Sequence, residues 1–210
     1  MFLKHTPHLG NKKGESLVEV IMAIFVVALG SGVATSLIIS ALQANSFSRD
    51  NLIALNLAVE GIEAIREIRD ANWLRFSYNK EQCWNIRPDA SDCETGTRIA
   101  VGPYTVNLDT TSYNWNIPNP ALTGNLNLDH PDDTINNQYR LYYDASHTMY
   151  TPPGAPGNEK SPFYRMVSIG YPNDEMMSIS SLVQWKSQGV THQVSLQTTL
   201  TNYQKVKRTS

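Results

Sequence analysis

Apolar and polar positions are unevenly spread along this chain, and the unevenness falls into successive regimes. Residues 1–14 are polar and basic, ending Asn11-Lys12-Lys13-Gly14. From Val20 to Ile39 there are 20 consecutive residues without a charge. As a helix, such a run reaches about 30 Å, the thickness of a bilayer's hydrocarbon core. The lysines before it predict a cytoplasmic N-terminus and place everything after Ser40 outside. A secretory signal peptide has a shorter apolar core and an Ala-x-Ala-like cleavage site, and none clearly follows here.

Beyond the apolar run the pattern stays helical. No proline occurs between Pro7 and Pro88, so Ser16 to Trp73 reads as one helix, 58 residues and about 87 Å long. Leu52, Leu55, Val59, Ile62, Ile65 and Trp73 recur at helical spacing, and Ala58 and Ile68 widen that stripe. This predicts an amphipathic half that packs on a domain. Glu60, Glu63, Glu67 and Asp70 share a neighbouring face, with Arg66 three residues after Glu63 and four before Asp70. No histidine joins those carboxylates, so a solvated face with arginine pairs is expected rather than a metal site. Contact between subunits is the alternative use of that face. Gly30 and Gly32 either permit close helix packing or are simply tolerated in an apolar helix.

After Trp73 the period changes. Residues 78–162 are rich in Asn, Asp, Pro and Thr, with short strand candidates at Tyr104–Leu108 and Arg140–Tyr143. The stretch Pro152-Pro153-Gly154-Ala155-Pro156-Gly157 predicts a loop. Stronger strand patterns follow at Phe163–Ile169, Met176–Trp185 and Thr191–Leu200, with Gln188-Gly189 as a hairpin turn. The expected fold class is α+β, an antiparallel sheet packed on the amphipathic half of a long N-terminal helix.

Composition narrows the function classes. With 41% hydrophobic and 17% charged residues in 210, the chain is neither a disordered tail nor a multi-span membrane protein. Net charge is −2; without Lys4, Lys12 and Lys13 the 17 basic residues fall to 14 against 19 acidic, a net of −5. Such a chain has no broad basic field for nucleic acid, and the short tail of Lys205, Lys207 and Arg208 does not supply one. Cys83 and Cys93 are too few for a zinc site, and in an exported domain they are expected to form a disulfide. Closing so short a loop contributes about 3 kcal/mol in the chain-entropy view.

Motifs that carry chemistry are scarce in the sequence. His130, His147 and His192 belong to no His-Glu-x-x-His, and there is no Gly-x-Ser-x-Gly and no phosphate loop. Asp129-His130-Pro131-Asp132-Asp133 lacks the EF-hand pattern and reads as a polar turn. Trp84, Trp115 and the many tyrosines are either buried aromatics or a ligand surface. No nucleophile and base converge, so no enzyme activity, cofactor or metal is expected.

Glu19 sits just inside the apolar run, where an ionised carboxylate is costly unless paired. Ser16-Leu17-Val18-Glu19 also fits a helix capping box. Taken together, Lys12-Lys13-Gly14, Glu15-Ser16-Leu17-Val18-Glu19-Val20 and the apolar run resemble the N-terminal signal of type IV pilins and type II secretion pseudopilins. The resemblance is specific over residues 12–39 and architectural beyond them. It implies a leader at 1–14, a membrane and assembly half-helix at 15–40, an amphipathic half-helix at 41–76 and a β-rich head at 77–210. It further implies cleavage after Gly14 by a prepilin peptidase and N-methylation of Glu15, where the family usually carries phenylalanine or another apolar residue.

In the family, the new α-amino group pairs with the fifth mature residue of a neighbour, here Glu19. A wrong register leaves both charges unpaired in a low-dielectric core. The partners implied are other pilin or pseudopilin subunits, the peptidase, an inner-membrane assembly platform and membrane lipid. The implied role is structural, with a minor subunit the nearer match. The competing class is an uncleaved, single-pass anchor displaying an adhesin or carbohydrate-binding module.

Overall fold

A computed structural model describes residues 17–118, 120–129, 133–153 and 158–204. By internal contacts the chain divides into two units, Met1–Ser48 and Arg49–Ser210. Helix α1 covers Leu17–Arg75, 59 residues, as the absence of proline predicts. It is long and apolar enough near the N-terminus to cross a membrane.

In the first unit, every described side chain is exposed. Ser31, Thr35 and Ser40 turn their hydroxyls back onto the carbonyls of Ala28, Ser31 and Ser36 at 2.9, 2.8 and 3.0 Å. These polar side chains therefore satisfy themselves inside the helix, which suits an apolar surrounding. Gly30 and Gly32 have nothing within 4 Å of an added Cβ.

The second unit is built on a sheet and the part of α1 that belongs to it. Short helices α2 (Lys80–Cys83) and α3 (Asp133–Asn137) interrupt the connections. The strands are β1 (Gly102–Tyr104), β2 (Asn107–Leu108), β3 (Trp115–Asn116), β4 (Arg140–Asp144), β5 (Met149–Thr151), β6 (Glu159–Asn173), β7 (Met176–Ser187) and β8 (Val190–Thr201). The main sheet runs β5-β4-β6-β7-β8, all antiparallel, with β1 on the other half of β6, and β2 pairs β3 separately.

The hairpin joining β7 and β8 turns at Gln188 and Gly189, both at positive φ (53° and 79°), the twist a two-residue hairpin requires. Strand β6 is longer than the predicted Phe163–Ile169 and takes in Pro162 and Pro172. Both prolines fall where its ladders lose register, against Arg140/Tyr142 of β4 and between Gly170 and Asn173. That is where a residue lacking N–H is tolerated in a strand.

The buried stripe of α1 differs from the one its large apolar residues suggest. Leu52, Leu55 and Val59 are exposed, at 60%, 39% and 42%. The residues facing the sheet are Ala54, Leu57, Ala58, Gly61, Ile62, Ala64, Ile65, Ile68 and Trp73. Small side chains dominate its first turns because the sheet supplies the bulk there: Phe163, Trp185, Val183 and Leu141 pack against Ala54, Leu57 and Ala58. Further along, Ile62, Ile65, Ile68 and Trp73 meet Val167, Ile169, Met177, Ile179 and Leu200. At Gly61 a Cβ would lie 2.5 Å from Ser181 Oγ and 3.0 Å from Val167 Cγ2, so helix and sheet approach there as only glycine allows.

Candidate functional site

The residues singled out by the N-terminal signal divide at the edge of the described chain. Gly14, Glu15 and the capping Ser16 lie outside the described residues. Glu19 lies in the first turn of α1, exposed, where a carboxylate favours the helix dipole. The apolar run it introduces is equally uncovered: Phe25, Val27 and Leu37 are 57%, 70% and 66% exposed. A soluble helix does not leave such a surface in water, whereas a bilayer or a packed bundle of like helices covers it.

Cys83 and Cys93 form a disulfide, their Cα atoms 5.5 Å apart, in a small apolar cluster with Phe76 and Ile86. The bond closes the chain that follows the last turn of α1. Arg75 reinforces that closure by donating to the carbonyl oxygens of Pro88 (3.0 Å) and Ala90. Asn72, 1% exposed, donates through Nδ2 to Ile86 O at 2.6 Å.

The acidic face of α1 resolves into separate partnerships. Glu63 pairs with Arg66, as its spacing predicts, while Asp70 takes Arg69 at 2.8 Å instead of Arg66. Glu67 Oε2 accepts from Trp115 Nε1 at 2.8 Å, and Glu60 Oε1 accepts from Arg165 Nη1 at 2.8 Å. Among the described residues no group of three or more His, Cys, Asp or Glu side chains is placed to hold a metal.

Two buried arginines, Arg165 and Arg87, carry structure that no sequence motif marks. Arg165 is 1% exposed and, besides Glu60, donates to Leu57 O at 3.2 Å and Val106 O at 3.1 Å. It ties β6 to α1 and to the segment before β2. The signal was present in the strand alternation, since Arg165 falls between Phe163 and Val167 on the inward parity of β6. Arg87 donates to Asp89, to Pro118 O and to Ile117 O, holding two loops together. Its role has no counterpart in any periodic pattern.

A cleft of about 350 Å³ opens between the last turns of α1 and the β2–β3 hairpin. Glu67, Asn72, Arg75, Asp109, Asn114 and Trp115 line it. The hairpin is held rigid by Asp109, whose Oδ1 accepts from Thr111 N (2.8 Å) and Oδ2 from Ser112 Oγ (2.7 Å). Those bonds, the one to Ser112 first, keep the Asp109 carboxyl below its ordinary pKa. Tyr113 at the tip adopts a left-handed φ of 55° with its ring exposed. Of the sequence's aromatic candidates, Trp84 is buried at 2% exposure, and Trp115 stands at the cleft.

The chain matches no family model, no curated protein and no solved structure.

Proposed function

We propose that this chain is a structural filament subunit, a minor pilin or pseudopilin-like protein cleaved after Gly14 and assembled through its N-terminal helix. The observation that carries the reading is the run Lys12-Lys13-Gly14 through Glu19, followed by 20 uncharged residues in a helix that leaves all of them exposed. Cleavage at Gly14 creates an α-amino group at Glu15, and Glu19 of a neighbour is its counter-charge. Pairing the two in a medium of low dielectric sets subunit register, because either charge alone is costly there. The partners on this reading are further pilin or pseudopilin subunits, the prepilin peptidase, an inner-membrane assembly platform and membrane lipid. The head at 77–210 then lies outside the cytoplasm, as its disulfide suits. No catalytic step is assigned to it.

A second reading, an uncleaved anchor displaying a binding module, draws support from the polar cleft at Trp115. Intact mass and N-terminal sequence of the protein from its native membrane separate the two. A mature start at Glu15, with Gly14→Ala leaving the chain at full length, supports the filament subunit. A start at Met1 throughout the surface-exposed population overturns it in favour of the anchored module.

A further inference from the structure

Strand β8 ends the sheet with a long free edge. It pairs with β7 over its whole length, Ser187↔Val190 to Met176↔Thr201, with no shift of register. No other described strand pairs with its far side. A row of unpaired N–H and C=O groups of this length is a template for another strand, and proteins usually blunt it with charge, proline or a bulge. None of these devices is present: Val190–Thr201 contains no Lys, Arg, Asp, Glu or Pro. We infer that this edge pairs with β8 of a second copy of the same chain, antiparallel about a two-fold axis at Ser195 or Leu196.

The occupant follows from the edges available and from the residues facing one another. On its other side the sheet ends in β5 and β1, each only three residues long. Among the described strands, a second copy therefore offers an edge of matching length only through its own β8, and the contact must be isologous. Side chains along β8 alternate, with Gln193, Ser195, Gln197 and Thr199 exposed and Val194, Leu196, Thr198 and Leu200 half-buried or buried on the core side.

With the axis at Leu196, Leu196 meets itself, Val194 meets Thr198, His192 meets Leu200 and Gln193 meets Thr199. Core-side residues face core-side residues and exposed polar residues face exposed polar residues across the continued sheet, and the central Leu196–Leu196 and Val194–Thr198 pairs are of the kind that stabilises strand pairing. No charge meets a like charge, and His192 does not oppose itself in either register. Such a contact closes at two chains and does not propagate by itself; it rests on the membrane anchor in the reading above but not on cleavage at Gly14 or filament assembly. Anchoring both copies in one membrane raises their effective concentration, so a strand-sized interface is enough.

Single-cysteine scanning of β8 in the full chain, in its native membrane, tests this. The only two cysteines are locked as Cys83–Cys93, so each introduced thiol is alone. Positions 191–200 are replaced one at a time, oxidised and read on non-reducing gels, with Ser146→Cys in the β4–β5 turn as the remote control. Near the axis the two Cα atoms come within disulfide range. Two residues away the copies are already about 14 Å apart, from a rise of about 3.4 Å per residue. A sharp maximum of homodimer at Ser195 or Leu196, at least tenfold over Ser146→Cys, is expected.

Adding Ser195→Lys and Gln197→Lys to Leu196→Cys sets like charges across the axis and is expected to abolish the adduct, while Cys83–Cys93 still forms. A flat profile, or no adduct, overturns the inference. An adduct with a protein of another mass overturns it equally, since the edge then serves a different chain. Processing at Gly14 is read independently by mass, so failure of either idea is recognised separately.

Discussion

Replacing Gly61 by alanine sets two well-measured tendencies against each other. In a helix interior alanine is favoured over glycine by about 1 kcal/mol, so a free face of α1 would gain stability. Here the added Cβ lies 2.5 Å from Ser181 Oγ, 3.0 Å from Val167 Cγ2 and 3.3 Å from Ser181 Cβ. Favourable carbon contacts begin near about 3.5 Å, so two neighbours must retreat by about half an ångström or more. Ser181 is fully buried on β7, between β6 and β8, and Val167 is β-branched and stiff about χ1.

Overpacking of this kind costs about 1–3 kcal/mol, which after the gain of about 1 kcal/mol leaves Gly61→Ala between neutral and a net loss of about 2 kcal/mol. Ser181 Oγ is buried without a hydrogen-bond partner among the described residues, so Ser181→Ala is expected to be neutral or mildly stabilising alone. Combined with Gly61→Ala it removes the tightest contact and recovers part of the loss. The assay is urea unfolding of the full chain in detergent, followed by the near-UV signal of the buried Trp73, Trp84 and Trp185. If Gly61→Ala instead raises stability by about 1 kcal/mol, the full helix-propensity gain, the close approach of α1 to β6 and β7 is refuted.

Three further outcomes are expected. Glu60→Ala strips the carboxylate from a guanidinium that is 1% exposed and lowers stability by about 3 kcal/mol, and adding Arg165→Met restores part of it; strict additivity would deny the coupling. Replacing Cys83 and Cys93 by serine lowers unfolding stability by about 3 kcal/mol, read by the same urea titration. Stability against pH is expected to show a plateau, measured as the unfolding midpoint from acid to alkali. Asp92, bonded by the Tyr78 hydroxyl, and Asp144, bonded by His147, have folded pKa values below their unfolded ones. Their contribution is present above about pH 4 and lost as pH falls through the lowered values. Burial raises the hydroxyls of Tyr104, Tyr139 and Tyr171, so their contribution holds below about pH 10 and is lost as pH rises through the raised values. A midpoint that climbs steadily across neutral pH would contradict these assignments.

Residue patterns along the chain determined its elements wherever a single local rule was strong enough. Twenty uncharged residues and no proline from Pro7 to Pro88 specify α1. Period-two alternation and Gln188-Gly189 specify β7, β8 and their turn, because a strand shows its inner face every second residue. The pairing of Cys83 with Cys93 was legible from count and context alone.

Tertiary structure decided what depends on partners distant in sequence. Size misleads about the inward face of α1: Leu52 and Leu55 look like core, yet Ala54, Ala58 and Gly61 face the sheet because Phe163, Trp185 and Val167 already fill the space. Strands β3 and β5 have only two and three residues, too short to show a period, and form because β2 and β4 stand beside them. The cleft beside Trp115 unites α1 with a hairpin more than 30 residues further along the chain, a proximity no local pattern carries. The free edge of β8 likewise emerges only from strand order, since a strand's sequence states its faces but not which neighbours it will have.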